Sequence, residues 1–194
     1  MAFLITPTSE LEAVNECLEN IGQSPVSTIA GDLGVDTQIA LNFVRKVNRE
    51  LQSSGWYWNI EKNYPLTPGG DGNILLPSNT LAVDTTGVDA SRDIIQRGSR
   101  LYDRDNHSYT FTGVVYVELT VGLPFEELPE TARRYISLRA ARIFEDRIDG
   151  ASSNADSADE QGALINLQAD QLRTEDLNVL SGSYSMFTTL NRTR

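Results

Sequence analysis

The chain has 194 residues, 40 % of them hydrophobic and 22 % charged, with 27 acidic against 16 basic side chains for a formal net charge of −11. A chain of this length buries roughly 70 % of the surface its unfolded form exposes, in one domain or two small ones, which excludes the stapled mini-protein classes. The composition is too apolar for a disordered chain, and the acidic balance argues against whole-surface grip on DNA phosphates, which needs clustered Lys and Arg. Cys17 is the single cysteine, so an intrachain disulfide is excluded and a reducing compartment suits the chain. The opening MAFLITPTSELE lacks a basic n-region, and no apolar run approaches the roughly 20 residues that cross a bilayer, so neither signal peptide, anchor nor membrane partner is expected.

Ser9 and Glu12 have capping-box spacing, and Leu11, Val14, Cys17, Leu18 and Ile21 recur at helical intervals until Gly22, which predicts a first helix. Asp36 is placed to cap a second, with Ile39, Phe43, Val44, Val47 and Leu51 on its apolar face and an end near Gly55. Trp56, Trp58 and Ile60 alternate as one side of a strand, and Pro65, Pro68, Gly69, Gly70 and Gly72 then break the chain. Short apolar runs at 74–76, 81–83, 94–95, 101–102, 109–111 and 114–121, separated by Gly, Asp and Asn, predict an antiparallel meander. Pro129 suits the first position of a third helix whose stripe is Ala132, Ile136, Ala140, Ile143, Phe144 and Ile148, running to Gly150. The small polar run 152–157 is expected to be a loop, and Ala163, Leu164, Leu167, Leu172 and Leu177 predict a fourth helix. The class is therefore α+β: a helical bundle built from N- and C-terminal helices with an inserted antiparallel β meander. Its expected parts are a helical hairpin (1–55), a β region (56–123), C-terminal helices completing the bundle (124–181) and an extended tail (182–194).

The residues offer little chemistry. His107 is the single histidine and falls in the polar run 103–108, which has the character of a hairpin turn. Asp103, Asp105 and His107 echo a calcium loop, but Ser108 and Val114 stand where such a loop needs glycine and a bidentate glutamate. One Cys and one His exclude the usual zinc sets within a chain. Glu126 and Glu127 suit the turn before the third helix as well as they suit a glycosidase carboxylate pair. No phosphate-cradling loop is present, and no catalytic residue, metal ligand or cofactor is expected. Arg133, Arg134, Arg139, Arg142 and Arg147 spread around the third helix, which favours scattered ion pairs with Glu130, Glu145 and Asp146 over a nucleic-acid face. Arg133 and Arg147 fall near the apolar stripe and are candidates for reaching another subunit. Trp56 and Trp58 are read as core, wedging the helices against the sheet. In the tail, Tyr184, Met186, Phe187 and Leu190 are too apolar for a merely solvated end and are the other interface candidates.

Particular stretches carry a resemblance. AVNECLENIGQSPVSTIAGD (13–32) resembles the N-terminal signature of the tail tubular protein A family, the tail adaptors of short-tailed podovirus phages, and VNRELQSSGWYWNIE (47–61) resembles that family's second helix passing into its first strand. LYDRDNHSYTF (101–111) and LPETARRYISLRAARIFEDRIDGA (128–151) match in character and order, so the likeness spans nearly the whole chain. It implies a virion protein made in the host bacterial cytoplasm and built into the tail as a dodecameric ring. The implied partners are the ring's own copies, the portal protein, the tail nozzle (tail tubular protein B), a tail fibre near their junction, and genomic DNA passing through without specific binding. The alternative weighed against it is a virion protein that binds or hydrolyses host surface glycan through the β region.

Overall fold

The computed structural model describes residues 6–148, 150 and 154–174. In chain order these form α1 (Glu10–Asn20), α2 (Val35–Ser53), β1 (Ile60–Leu66), β2 (Thr80–Thr85), a 3-10 turn at Gly87–Asp89, β3 (Ile94–Arg97), β4 (Arg100–Asp103), β5 (Val115–Val121), a 3-10 turn at Phe125–Glu127, α3 (Glu130–Ile148) and α4 (Asn154–Thr174). Helices, antiparallel strands and helices follow one another, so the fold is α+β as the residue pattern predicts.

Ser9 caps α1 in a reciprocal box: the Glu12 amide donates to Ser9 Oγ (3.2 Å) and the Ser9 amide to Glu12 Oε2 (2.7 Å). Gly22, at φ +71°, takes the left-handed turn that ends the helix. α2 begins two residues earlier than expected, with Gly34 in the cap position, so Asp36 lies inside the first turn, where its charge favours the positive end of the helix. Helix α3 touches each of the other three helices. Its buried side is correspondingly broad, with Ala132, Tyr135, Ile136, Ala140, Ala141 and Phe144. α4 starts at Asn154, within the run read as a loop: Asn, Ser and Asp favour a helix's first turn, so small polar composition marked a helix start. Leu172 and Ile39, placed on apolar faces by periodicity, are exposed, as is Ile148. Leu177 lies outside the described residues.

In the β part, β5 is the middle strand of a three-stranded antiparallel sheet ordered β1–β5–β2, and β3 and β4 form a separate hairpin. The last strand pairs along both edges and buries every second residue on one face, Val115, Val117, Leu119 and Val121, whereas β1 is mostly exposed. The predicted strands at 74–76 and 109–111 make only isolated bridges, Asn73 to Thr110 and Leu75 to Arg100. Trp56 and Trp58 are not on a strand: residues 57–59 turn, and extended structure starts at Ile60.

Two apolar cores result. The first joins the four helices around Val14, Leu18, Val44, Ile136, Phe144 and Leu167, and the second lies under the strands around Ile74, Leu101, Phe111 and Leu119. Leu123 packs against both. Among the described residues no helix is long and apolar enough to cross a membrane.

Candidate interface residues and the joint between the two cores

The chain passes from helices to strands at 52–60 and returns at 121–125, and both crossings meet in one buried polar joint. Asn59 (1 % exposed) donates through Nδ2 to the carbonyls of Gln52 and Val121, both at 2.9 Å, and its Oδ1 accepts from the Trp56 amide at 2.7 Å. Gln52 (2 % exposed) donates through Nε2 to the Leu123 carbonyl at 2.9 Å and accepts from the Leu123 amide at 2.7 Å. Two side-chain amides thereby reach backbone groups at the end of α2, at the end of β5 and in the segments beyond them, where a buried group left unpaired costs about 1–3 kcal/mol. Sequence reasoning missed both residues. The available signal was Gln52, a polar residue eleven places after Leu41 and eight after Val44, on the buried side of α2.

The two tryptophans flank this joint and pack half-buried against the helical core, so they cover that core instead of wedging it against the sheet. Trp56 Nε1 donates to the Leu51 carbonyl at 2.8 Å, while the buried Trp58 Nε1 has no acceptor among the described residues. Beside the joint opens a cleft of about 380 Å³ lined by Arg45, Arg49, Gln52, Leu81 and Phe125. Arg45 is tied there to Glu10 at 3.0 Å.

The α3 arginines have separate fates. Arg133 is buried and donates to three main-chain carbonyls: Leu128 through Nε (2.8 Å), Thr8 through Nη1 (2.9 Å) and Glu126 through Nη2. Thr8 is held a second time, its amide and hydroxyl donating to Glu130 at 2.8 and 2.6 Å, so the segment before α1 is fastened to the start of α3. Arg139 and Arg142 converge on Glu160 of α4, the first at 2.8 Å. Burial acts to raise the Glu160 carboxyl, but the hydrogen bonds and charges of Arg142 and Arg139 outweigh it and hold it below the ordinary glutamate range. Arg142 also reaches Asp146 (3.3 Å), and Arg134 reaches Glu16 of α1 (2.8 Å). The principal partners are thus on neighbouring helices, which periodicity along α3 alone could not name. Arg147 lies exposed near the end of α3, its guanidinium 5.5 Å from the centre of the Phe43 ring. Tyr184, Met186, Phe187 and Leu190 lie outside the described residues.

The run around His107 is a turn closed by its aspartates. Asp103 accepts from the Asn106 amide (2.9 Å), Asn106 Nδ2 (3.0 Å) and Arg92 Nη2 (3.4 Å). The Asn106 bonds, with help from Arg92, keep its carboxyl below the usual aspartate range against the effect of burial. Arg92 also reaches Asp89 at 3.0 Å, whose other oxygen takes the Tyr116 amide at 2.9 Å. His107 itself stands exposed at φ +50°. Among the described residues no group of three or more His, Cys, Asp or Glu is placed to hold a metal ion. Glu126 and Glu127 occupy the 3-10 turn ahead of α3. Cys17 is fully buried, and desolvation pushes its thiol up to about 12, which makes it inert in the folded chain. The loop after α1 is held by Asn15, which donates to the Val26 carbonyl (3.0 Å) and accepts the Val26 amide (2.8 Å).

Residues 11–177 match the family model described as tail tubular protein, which makes this chain a structural protein of a virion tail. A relative, Tail tubular protein A of Klebsiella phage KP34, is 31 % identical over 152 residues, spanning 78 % of this chain and 80 % of that protein. The chain belongs to the tail tubular protein family. Among solved structures, a chain from the "Neck of empty GTA particle computed with C6 symmetry" aligns at 19 % identity over 78 % of this chain and 88 % of that one, with a TM-score of 0.29.

Proposed function

We propose that this protein is the ring-forming adaptor of its tail. A dodecameric ring sits between portal and nozzle, with a tail fibre attached near the nozzle junction, and its lumen is part of the channel through which the genome leaves. The observation that carries the reading is the family match over residues 11–177. The net charge of −11 supports it, since an acidic channel wall repels phosphate and lets DNA pass without sticking. On this reading the protein is no enzyme. Its four parts, with boundaries at 55, 123 and 181, divide the work of assembly, and the chain is made in the host cytoplasm before it joins the virion.

Arg147 and the tail residues Tyr184, Met186, Phe187 and Leu190 make contacts between subunits or with portal and nozzle. Arg133 contributes by fastening the segment before α1 to the bundle. The test is electron microscopy and sedimentation of the purified protein alone and mixed with portal and nozzle proteins. Rings that cap the portal support the adaptor. A chain that stays monomeric in every mixture and acts on host surface glycan overturns it.

A further inference from the structure

We propose that the outer face of the β3–β4 hairpin docks on the β2–β5 face of a second copy of this chain, Arg97 and Arg100 meeting Asp84 and Glu118. The proposal rests on the ring reading above and names a contact that builds it. Arg97 lies directly opposite Arg100 in the β3–β4 ladder, and Asp84 directly opposite Glu118 in the β2–β5 ladder. Like charges in direct cross-strand register weaken a sheet. The chain therefore carries two unfavourable pairs of opposite sign, on two different sheets. Among the described residues none of the four side chains takes part in an ion pair. Asp71 feels the charge of Arg100, but its carboxyl is held low first by Asn73.

The basic pair is also pre-organised. The Arg97 guanidinium lies 3.6 Å from the centre of the Tyr102 ring and that of Arg100 lies 4.7 Å from the Tyr109 ring, and the two rings meet edge to face at 4.8 Å. Stacking occupies the flat face of a guanidinium and leaves its N–H fork free for a carboxylate. Leu75, bridged to Arg100 and 67 % exposed, adds apolar area beside the fork. On the receiving side, Val117 and Leu119 point into the core, which turns Glu118 outward with the exposed Asp84.

A second copy is the occupant that charge selects. Copies of a chain at −11 repel one another overall, so a ring needs local contacts of opposite sign, and each copy presents both halves of this one. A patch that meets a different patch on its neighbour is a heterologous contact, the kind that closes rings.

The experiment reverses each pair and measures assembly by sedimentation velocity over a range of concentrations. R97E/R100E and D84K/E118K should each weaken self-association by about tenfold or more, because each places like charges face to face. Mixed, the two variants should assemble together in alternation, since the basic hairpin of one meets the acidic face of the other and the reversed acidic hairpin meets the reversed basic face, and the chain carrying all four reversals should assemble like the wild type. Circular dichroism checks the fold, with D84N/E118N and R97Q/R100Q as neutral variants that relieve the repulsion if a reversed chain misfolds. Wild-type rings accompanied by normal assembly of both reversed variants overturn this contact and leave the ring reading standing. Monomeric variants that do not pair when mixed also overturn it. A wild-type chain that is monomeric at every concentration and with portal present overturns the ring reading and the contact together.

Discussion

Replacing Asn59 by alanine removes the centre of the joint between the two cores. Three hydrogen bonds go at once, and the Gln52 carbonyl, the Val121 carbonyl and the Trp56 amide lose their side-chain partner at a site only 1 % exposed. The Gln52 carbonyl keeps the Gly55 amide at 3.1 Å, so the Val121 carbonyl and the Trp56 amide carry most of the loss, and at about 1–3 kcal/mol for each buried group left unpaired about 4 kcal/mol is a reasonable total. That is a large part of the roughly 5–15 kcal/mol by which a domain is stable. For a chain of this size it corresponds to a fall in Tm of about 8–16 °C. The assay is urea unfolding and thermal melting at one fixed protein concentration, because assembly itself raises apparent stability. Hydrogen exchange adds a local readout: the Val121 amide, which donates to the Asn59 carbonyl at 2.9 Å, should lose protection before the helical core does. The matched control is Asn79→Ala, whose side chain also reaches a carbonyl of this return segment, Gly122 at 3.1 Å, but from an exposed position, and which should change stability by less than about 0.5 kcal/mol. An Asn59→Ala protein within about 1 kcal/mol of the wild type would refute the reasoning that the joint is held by this amide.

Three further outcomes follow from single groups. Trp56→Phe should cost about 1 kcal/mol more than Trp58→Phe in denaturant melts, because the Trp56 indole N–H has the Leu51 carbonyl as acceptor and the Trp58 N–H has none; equal costs would contradict this. The Glu160 carboxyl is held low by Arg142 and Arg139, so its stabilisation is complete above the ordinary glutamate pKa of about 4.3 and is lost as the pH falls below that through the depressed folded value. Glu160→Gln should flatten that acid limb of a stability–pH curve while lowering stability at neutral pH, and an unchanged limb would count against the assignment. Cys17, buried with its thiol pushed up to about 12, should be alkylated by iodoacetamide only as fast as the chain opens, and rapid labelling of the native protein would contradict the sealed core.

Much of this protein is set by local chemistry that can be read along the chain. The capping box at Ser9, the helical spacing of Val14, Cys17 and Leu18, and the period-two burial of β5 are each decided within a few residues, so residue type and spacing suffice. The likeness of 13–32 and 128–151 to the tail tubular protein family was also legible, and the family match over residues 11–177 agrees with it. Other features depended on residues far apart in the chain. Periodicity cannot tell which strand will be central, because that depends on how much apolar surface each strand finds to cover, and the last strand won both neighbours. Leu172 fits the helical period of α4, yet it is 59 % exposed while Leu167 is buried, since a period marks several faces and only the packing of α3 selects one. Arg139 and Arg142 meet Glu160 from another helix, and Gln52 and Asn59 acquire their partners only when Val121 and Leu123 return beside them, more than sixty residues later. Sequence spacing determines which side chains share a face of one element; folding the elements together decides which charges and carbonyls that face will meet.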